Sequence, residues 1–245
     1  TIERVARGLR PLSTDPIADV EILFQRALFA WLIADGDMHL KNLALLKIAE
    51  LSFTLGQTDD ARQALRRYLA EQTNAPAADV ALLALAELDL KEAAAAQAQA
   101  VPAGTNAVTT NQLQQAAGQF DAWLARFPGS SLAGRALLGK GWCLWLAGDT
   151  NNSLPLFRSA TEQLPPSLDQ AVARFKQADA QMAMGDFGSA LTNYSFIVDS
   201  MAEVKSVKDE LFEQALYQIV RAALKTGDMD AASDAAAKIL DWFPN

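Results

Sequence analysis

Cysteine and histidine are almost missing from this 245-residue sequence, which contains one of each, Cys143 and His39. A single cysteine excludes a disulfide within the chain, and it cannot form a cysteine-rich metal site. The sequence also lacks the Gly-x-Ser-x-Gly pattern that positions the nucleophile of many serine hydrolases. It therefore predicts neither a zinc site nor a hydrolase triad.

Positive charge and long apolar runs are also scarce. The chain has 21 basic and 29 acidic side chains, a net charge of -8, and no block of lysine and arginine. Nucleic acid is therefore not an expected partner, because phosphate backbones are bound by clustered basic residues. No run of about 18 apolar residues predicts a membrane span. We expect a soluble protein, cytoplasmic or periplasmic, and the sequence gives no prediction of its oligomeric state.

Helical patterns occupy most of the chain from about residue 51 onward, because apolar and small residues recur there at spacings of three and four. Three short segments interrupt these patterns: "LAGD" at 146–149, "MGDF" at 184–187 and "TGDM" at 226–229. Glycine permits the left-handed conformation that ends a helix, and the aspartate after it can cap the next one. The pattern thus predicts a series of helical hairpins.

These hairpins resemble tetratricopeptide repeats, units of about 34 residues whose two helices meet at small side chains. Three units match the resemblance, at about residues 134–167, 171–204 and 213–245. In the first unit Gly141 and Ser153 take small positions, Phe157 the aromatic position and Pro165 the terminal one. The resemblance implies an all-α solenoid, a right-handed superhelix of helical hairpins, over residues 43–245.

A weaker form of the pattern continues upstream. Ala61, Leu65 and Tyr68 follow a turn at Gly56, and an alanine-rich helix is predicted over residues 78–100. A polar loop is expected at 101–112, followed by a helix that ends at Pro128. In style the repeats are similar to those of bacterial envelope tetratricopeptide proteins.

The first 50 residues differ, because "LFQRALFAWLIADGDMHLKNLALL" resembles the catalytic-loop region of HipA-family serine/threonine kinases. Asp37, His39, Lys41 and Asn42 occupy the Asp-x-His-x-Lys-Asn positions of that family. The resemblance implies that Asp37 orients the attacking hydroxyl and that Asn42 binds metal on the nucleotide phosphates. It also implies that His39 holds the loop and that Lys41 faces the transferred phosphate.

The resemblance divides the chain into a kinase-like fragment, residues 1–42, and a repeat domain, residues 43–245. Before the repeats we predict a short helical segment with an irregular loop at 35–42, and the kinase resemblance implies a strand after this loop. ATP and Mg²⁺ are expected only under this alternative, since the nucleotide-binding lobe and a second metal-binding aspartate are not recognisable. Near residues 47–52 the sequence changes from the kinase-like pattern to the repeat pattern. Three explanations are open: a natural fusion, a join between pieces of two proteins, and a misassigned stretch of sequence.

Several side chains fall on the helix faces that line the concave groove of tetratricopeptide proteins. They are Arg135, Trp142, Trp145, Phe175, Met182, Tyr217 and Arg221. Aromatic anchors in such a groove can hold a peptide, whereas the alternative is that the tryptophans pack between neighbouring hairpins. Residues 51–245 carry 15 basic and 22 acidic side chains, which favours a basic or apolar partner.

The sequence as a whole predicts a non-catalytic interaction scaffold that binds a protein or peptide and needs no cofactor. The alternative is a HipA-like kinase of which the chain carries only the catalytic-loop fragment. These two functions differ in the structure they require near residue 43, because a kinase needs a strand there and a repeat needs a helix.

Overall fold

A computed structural model describes residues 38–71, 77–99 and 107–244 of this protein. These three ranges are almost entirely helical, with ten α-helices and no strand among the described residues. The helices are α1 (Met38–Thr54), α2 (Thr58–Glu71), α3 (Ala78–Gln99), α4 (Ala107–Arg126), α5 (Ala133–Leu146), α6 (Thr150–Gln163), α7 (Leu168–Ala183), α8 (Phe187–Ser200), α9 (Lys205–Thr226) and α10 (Met229–Trp242). The predicted all-α class is therefore confirmed.

The described residues form two compact units, with the division between residues 85 and 86. In the first unit α1 packs against α2 across a tight turn at Gly56, whose φ of 73° is left-handed. Tyr68 of α2 is 2% exposed, and Ala61 is completely buried. Buried residues on the facing helix include Ala44 and Leu45. This pair of helices is a hairpin that buries one apolar side of each helix.

The irregular loop expected at 35–42 is wrong over residues 38–42, because these residues belong to helix α1. Residues 43–50, predicted to be helical in a repeat protein and a strand only in a kinase, continue that helix. The apolar run from Leu43 to Leu46 continues a helix instead of entering a sheet. Its partner is α2, and a helix can bury this run against another helix without any strand to pair with. The expected junction between residues 42 and 43 falls inside α1, and the division into those two domains stays a prediction.

In the second unit, successive helices pack as hairpins. Helices α5 and α6, α7 and α8, and α9 and α10 each pack together across a short turn. We call α5, α7 and α9 the first helices of these hairpins, and α6, α8 and α10 the second helices. Each hairpin also packs against the next one, because α6 contacts α7 and α8 contacts α9.

The three hairpin turns follow one design. Gly148, Gly185 and Gly227 have φ values of 84°, 81° and 82°, in the left-handed region. The aspartate after each glycine caps the second helix, with its side chain accepting a hydrogen bond from the backbone three residues on. The prediction made from the three Gly-Asp pairs is confirmed.

Close helix contacts require small residues in the interior. Gly139 of α5 faces Phe120 of α4, and Gly141 faces Phe157 of α6. Both rings are completely buried. Two core clusters result: one joins α7 to α10 around Tyr194 and Phe212, and the other joins α5, α6 and α7 around Phe157.

Two predicted boundaries need correction. Residues 107–112 were expected in a polar loop, but they form the first turns of α4, while residues 100–106 lie outside the described ranges. Helix α9 begins at Lys205, before the unit predicted at residue 213, and it has 22 residues. The extra turns bury Val207, Leu211 and Phe212, which explains why the longer helix forms.

Candidate functional site

The seven predicted groove residues all lie on first helices of the second unit. Arg135, Trp142 and Trp145 are on α5, Phe175 and Met182 on α7, and Tyr217 and Arg221 on α9. Helices α5 and α7 are in contact, and so are α7 and α9. Three neighbouring first helices therefore present these side chains on adjoining faces.

A cleft of about 560 Å³ opens between α7 and α9. Its α7 wall consists of Phe175, Lys176 and Asp179, while α9 and α10 supply Glu213, Gln214, Tyr217, Gln218 and Ile239. Phe175 is 6% exposed and forms part of the floor, whereas Tyr217 is 59% exposed. A partner can therefore contact Tyr217 directly, whereas it can reach only a small part of the Phe175 ring.

Lys176 connects the cleft to the predicted tryptophans. Its Nζ lies 4.6 Å from the ring centroid of Trp142 and 6.0 Å from that of Trp145. The same Nζ forms a 2.6 Å ion pair with the Asp179 carboxylate. A cation over an aromatic face is attracted to it. The tryptophans are half-buried, and they pack against the core cluster around Phe157.

Asp179 is fixed from a second side by Tyr194, whose hydroxyl donates a 2.6 Å hydrogen bond to the carboxylate. The Tyr194 ring meets that of Phe175 edge-on, with 5.2 Å between centroids. Burial, followed by the charge of Asp179, raises the pKa of Tyr194 well above its usual range, and the charge of Arg221 opposes this. The hydroxyl therefore stays protonated and keeps the α7 wall of the cleft in place.

Arg135 is engaged within the fold. Its Nη2 lies 2.9 Å from the Glu87 carboxylate of α3, and its Nε lies 3.7 Å from Asp169 of α7. Burial raises the pKa of Glu87, and the charge of Arg135 and its hydrogen bond oppose that effect. Arg135, on α5, thus links carboxylates on α3 and α7.

The remaining groove residues differ in access. Met182 is partly buried against the core cluster of α7–α10. Arg221 is exposed, with its guanidinium 6.0 Å from the Tyr217 ring, and its Nη1 donates a 3.0 Å hydrogen bond to Gln218. Tyr217, which lines the cleft, and Arg221, which lies beside it, are thus both exposed.

Sequence reasoning missed five polar side chains of the cleft. They are Lys176, Asp179, Glu213, Gln214 and Gln218. Spacing could have revealed Glu213 and Gln214, which lie four and three positions before Tyr217 and so share its helix face. In the same way Gln218 lies three positions before Arg221, and Asp179 lies four positions after Phe175. Their ion pairs and hydrogen bonds depend on rotamers, which the spacing does not give.

The side chains of the kinase-like motif are not described. Asp37 lies outside the described residues, and His39, Lys41 and Asn42 are backbone positions in α1 whose side chains are not described. The role of Asn42 as a metal ligand therefore has no described geometry. In the part of the chain that the structure describes, no group of three or more His, Cys, Asp or Glu could hold a metal ion.

Two family models match the chain, at residues 43–74 and 101–167, and both describe the tetratricopeptide repeat. The first of these matches covers most of the α1–α2 hairpin. Residues 43–74 and 101–167 thus match tetratricopeptide repeats. No curated protein matches the sequence.

Solved structures agree with this repeat fold. The crystal structure of PilW, a widely conserved type IV pilus biogenesis factor, gives a TM-score of 0.59 at 18% identity, covering 99% of this chain and 92% of that chain. YrrB, a tetratricopeptide protein with an unusual peptide-binding site, gives 0.54 at 15% identity over 89% and 93%. A thermophilic tetratricopeptide protein in Thermus thermophilus gives 0.52 at 18% identity over 97% and 96%. At these identities the likeness concerns the fold alone.

Hydropathy adds one finding about the helices. Among the described residues, no helix combines the length and the apolar character needed to cross a membrane.

Proposed function

We propose that this protein is a non-catalytic interaction scaffold that binds a peptide segment of a partner protein across its first helices. Stacked hairpins of this kind expose a continuous face built from successive first helices. Here that face includes the cleft between α7 and α9 and, beside it, Lys176 over the Trp142 ring. The proposed function requires no bound cofactor.

The exposure of Tyr217 inside the cleft is the observation that carries this proposal. Its side chain is 59% exposed, although its neighbours Phe175 and Ile239 supply apolar surface in the same cleft. An exposed tyrosine in a concave site can bury a large area and donate a hydrogen bond when a partner binds. Tyrosine is also enriched among the residues that dominate binding energies.

The cleft contains hydrogen-bonding groups suited to a peptide. Gln214 and Gln218 lie four residues apart on the face of α9 that carries Tyr217. Each amide side chain can donate to and accept from a peptide backbone. The structural likeness to YrrB, whose site binds peptide, is compatible with this use of the fold.

The kinase alternative is not proposed, because no observation favours it. Residues 43–50 continue α1, whereas the resemblance to HipA-family kinases implies a strand after the motif. A kinase also needs a nucleotide-binding lobe, and none is recognisable in the sequence.

The proposal can be tested with an unconstrained library of displayed 12-residue peptides selected on the immobilised protein. Selected peptides are then synthesised, and their affinities are measured for the wild type, Tyr217→Ala and Leu240→Ala. Leu240 is the matched control, because it is 77% exposed but is not among the residues of the cleft. We expect Tyr217→Ala to weaken binding by about tenfold, as for a central aromatic contact.

Leu240→Ala should leave the affinity unchanged. The proposal is wrong if no peptide is selected above an unrelated immobilised helical protein. It is equally wrong if both substitutions weaken every selected peptide to the same extent, because that result would place binding outside the cleft.

A further inference from the structure

The charges around the α7–α9 cleft are separated along α9. Lys176 and Asp179 neutralise each other in the α7 wall, with 2.6 Å between Nζ and the carboxylate. Glu213 lies at one end of the cleft, and Arg221 lies beside its other end. Within the described ranges, no cation pairs with Glu213 and no carboxylate pairs with Arg221. Each end of the cleft therefore carries an unpaired charge of opposite sign.

Tyr217 lies midway between these two charges, four residues from each. Residues four apart on a helix share one face, so all three side chains follow one stripe. The eight-residue separation of Glu213 and Arg221 corresponds to a distance of about 12 Å along the helix axis. The stripe thus consists of an acidic group, an aromatic ring and a basic group at even intervals.

An extended peptide advances by about 3.3 Å per residue, so about four residues span the same distance. Side chains at positions one, three and five of such a peptide point to the same side. The outer two can pair with Glu213 and Arg221, while the middle one meets Tyr217 and the apolar floor. Both the spacing and the alternation of an extended segment match the stripe.

We infer that the partner segment is an extended peptide with a cationic, an apolar and an anionic side chain at alternate positions. This inference rests on the proposed function. The cationic group pairs with Glu213 and the anionic group with Arg221. Arg221 is held toward the Tyr217 ring, 6.0 Å from its centroid, by the hydrogen bond to Gln218. This arrangement keeps the guanidinium at the end of the cleft, where a carboxylate can reach it.

The probes are four displayed peptide libraries with randomised flanks and a five-residue core. The core has leucine at position three, random residues at positions two and four, and fixed residues at positions one and five. The fixed pair is lysine with glutamate in either order, lysine twice, glutamate twice or glutamine twice. We expect the library with opposite charges to give the tightest peptides, since each of the others lacks at least one complementary charge.

Selected opposite-charge peptides are then titrated against Glu213→Lys and Arg221→Glu. Each variant should bind about fivefold more weakly, the size of one exposed ion pair. Reversing the corresponding charge of the peptide should restore the affinity. Asp234→Lys and Arg158→Glu are the controls, because they make the same charge changes at exposed positions outside the cleft.

The inference is overturned if the glutamine library yields peptides of equal affinity, or if the two control variants weaken binding as much as the cleft variants. Binders from the unconstrained selection that respond to Tyr217→Ala but not to these charge changes would leave the proposed function standing and reject only the charge pattern. Failure of every library to give a binder would reject both.

Discussion

Gly139 lies so close to the ring of Phe120 that a methyl group on its Cα would overlap the ring. The ring belongs to α4 and is completely buried, so it would have to shift within the core to make room for a methyl group. This contact joins α4 to α5. The absence of a side chain at Gly139 is therefore a requirement of helix packing.

We predict that Gly139→Ala lowers the free energy of unfolding by about 1–3 kcal/mol, the usual cost of overpacking a core. The intrinsic preference of alanine for a helix, about 1 kcal/mol over glycine, opposes this loss and sets its lower end. Urea denaturation followed by circular dichroism measures the change.

Gly118→Ala is the matched control for this substitution. Gly118 is also inside a helix, α4, but a methyl group there would meet no atom within 4 Å. Only the helix preference remains, so Gly118→Ala should stabilise the protein by up to about 1 kcal/mol. If the two substitutions shift stability in the same direction, the close contact at Gly139 does not limit packing.

The Gly-Asp turns lead to a second prediction. The Asp186 side chain accepts a hydrogen bond from the Ser189 backbone N–H at 3.2 Å, which caps α8. Asp186→Ala should lower the free energy of unfolding by about 1 kcal/mol, because that N–H loses its partner. Asp234→Ala is the control, since Asp234 is exposed inside α10 and caps nothing. A loss of equal size at both positions would show that the cap contributes no stability.

The turns and the repeat spacing could be predicted from the sequence because they depend on local chemistry. A glycine followed by aspartate determines the end of one helix and the start of the next within a few residues. Gly141 and Ser153, expected at the small positions of the first unit, are indeed buried. Such positions follow a fixed spacing, so a single sequence reveals them.

The loop predicted at residues 38–42 was wrong, and for residues 43–50 the sequence left a repeat helix and a kinase strand as alternatives. Residues 38–50 combine a short polar motif with an apolar run, and an apolar run alone does not distinguish a strand from a buried helix. The packing of α1 against α2 decides the outcome, and this depends on residues further along the chain. The start of α9 was missed for a related reason, because the burial of Val207 and Phe212 is a tertiary effect.

The candidate site was predicted only in part for a further reason. Helical spacing places Arg135 and Tyr217 on the same kind of helix face, but it does not give their neighbours. Arg135 is engaged by Glu87 and Asp169, whereas Tyr217 remains open. Partners on other helices decide which groove residue is free to bind.

The Tyr194–Asp179 hydrogen bond gives a third prediction, concerning alkaline pH. Because the pKa of Tyr194 is raised in the folded protein, folding retains a proton that the unfolded chain releases above about pH 10. This contribution to stability is fully present below about pH 10 and is lost as the pH rises further. Tyr194→Phe removes the titrating hydroxyl along with its hydrogen bond.

We therefore expect Tyr194→Phe to lower the free energy of unfolding by about 1–2 kcal/mol near pH 8, the cost of one buried hydrogen bond to a charged group. The difference from the wild type should shrink between about pH 10 and 11. Tyr217→Phe is the control, because this hydroxyl belongs to an exposed side chain. A difference that stays constant up to about pH 11 would contradict the raised pKa.

The link between Arg135 and Glu87 gives the fourth prediction. Burial raises the pKa of Glu87, and Arg135 is the group that offsets this by stabilising the ionised carboxylate. In Arg135→Leu the carboxylate stays partly buried without its cation, so the variant should be less stable by about 1 kcal/mol at pH 7. Protonation of Glu87 relieves the unpaired charge, and the loss should therefore become smaller as the pH falls from about 7 to 5.

The double variant Glu87→Gln/Arg135→Leu isolates the carboxylate from the other effects of losing arginine. Compared with Glu87→Gln alone, it should show no change in relative stability over the same pH range, because position 87 no longer titrates. Chemical denaturation of all four proteins at about pH 5, 6 and 7 gives the complete cycle. If the loss in Arg135→Leu is the same at each pH, or if it persists unchanged in the double variant, Arg135 acts by packing and its charge does not stabilise Glu87.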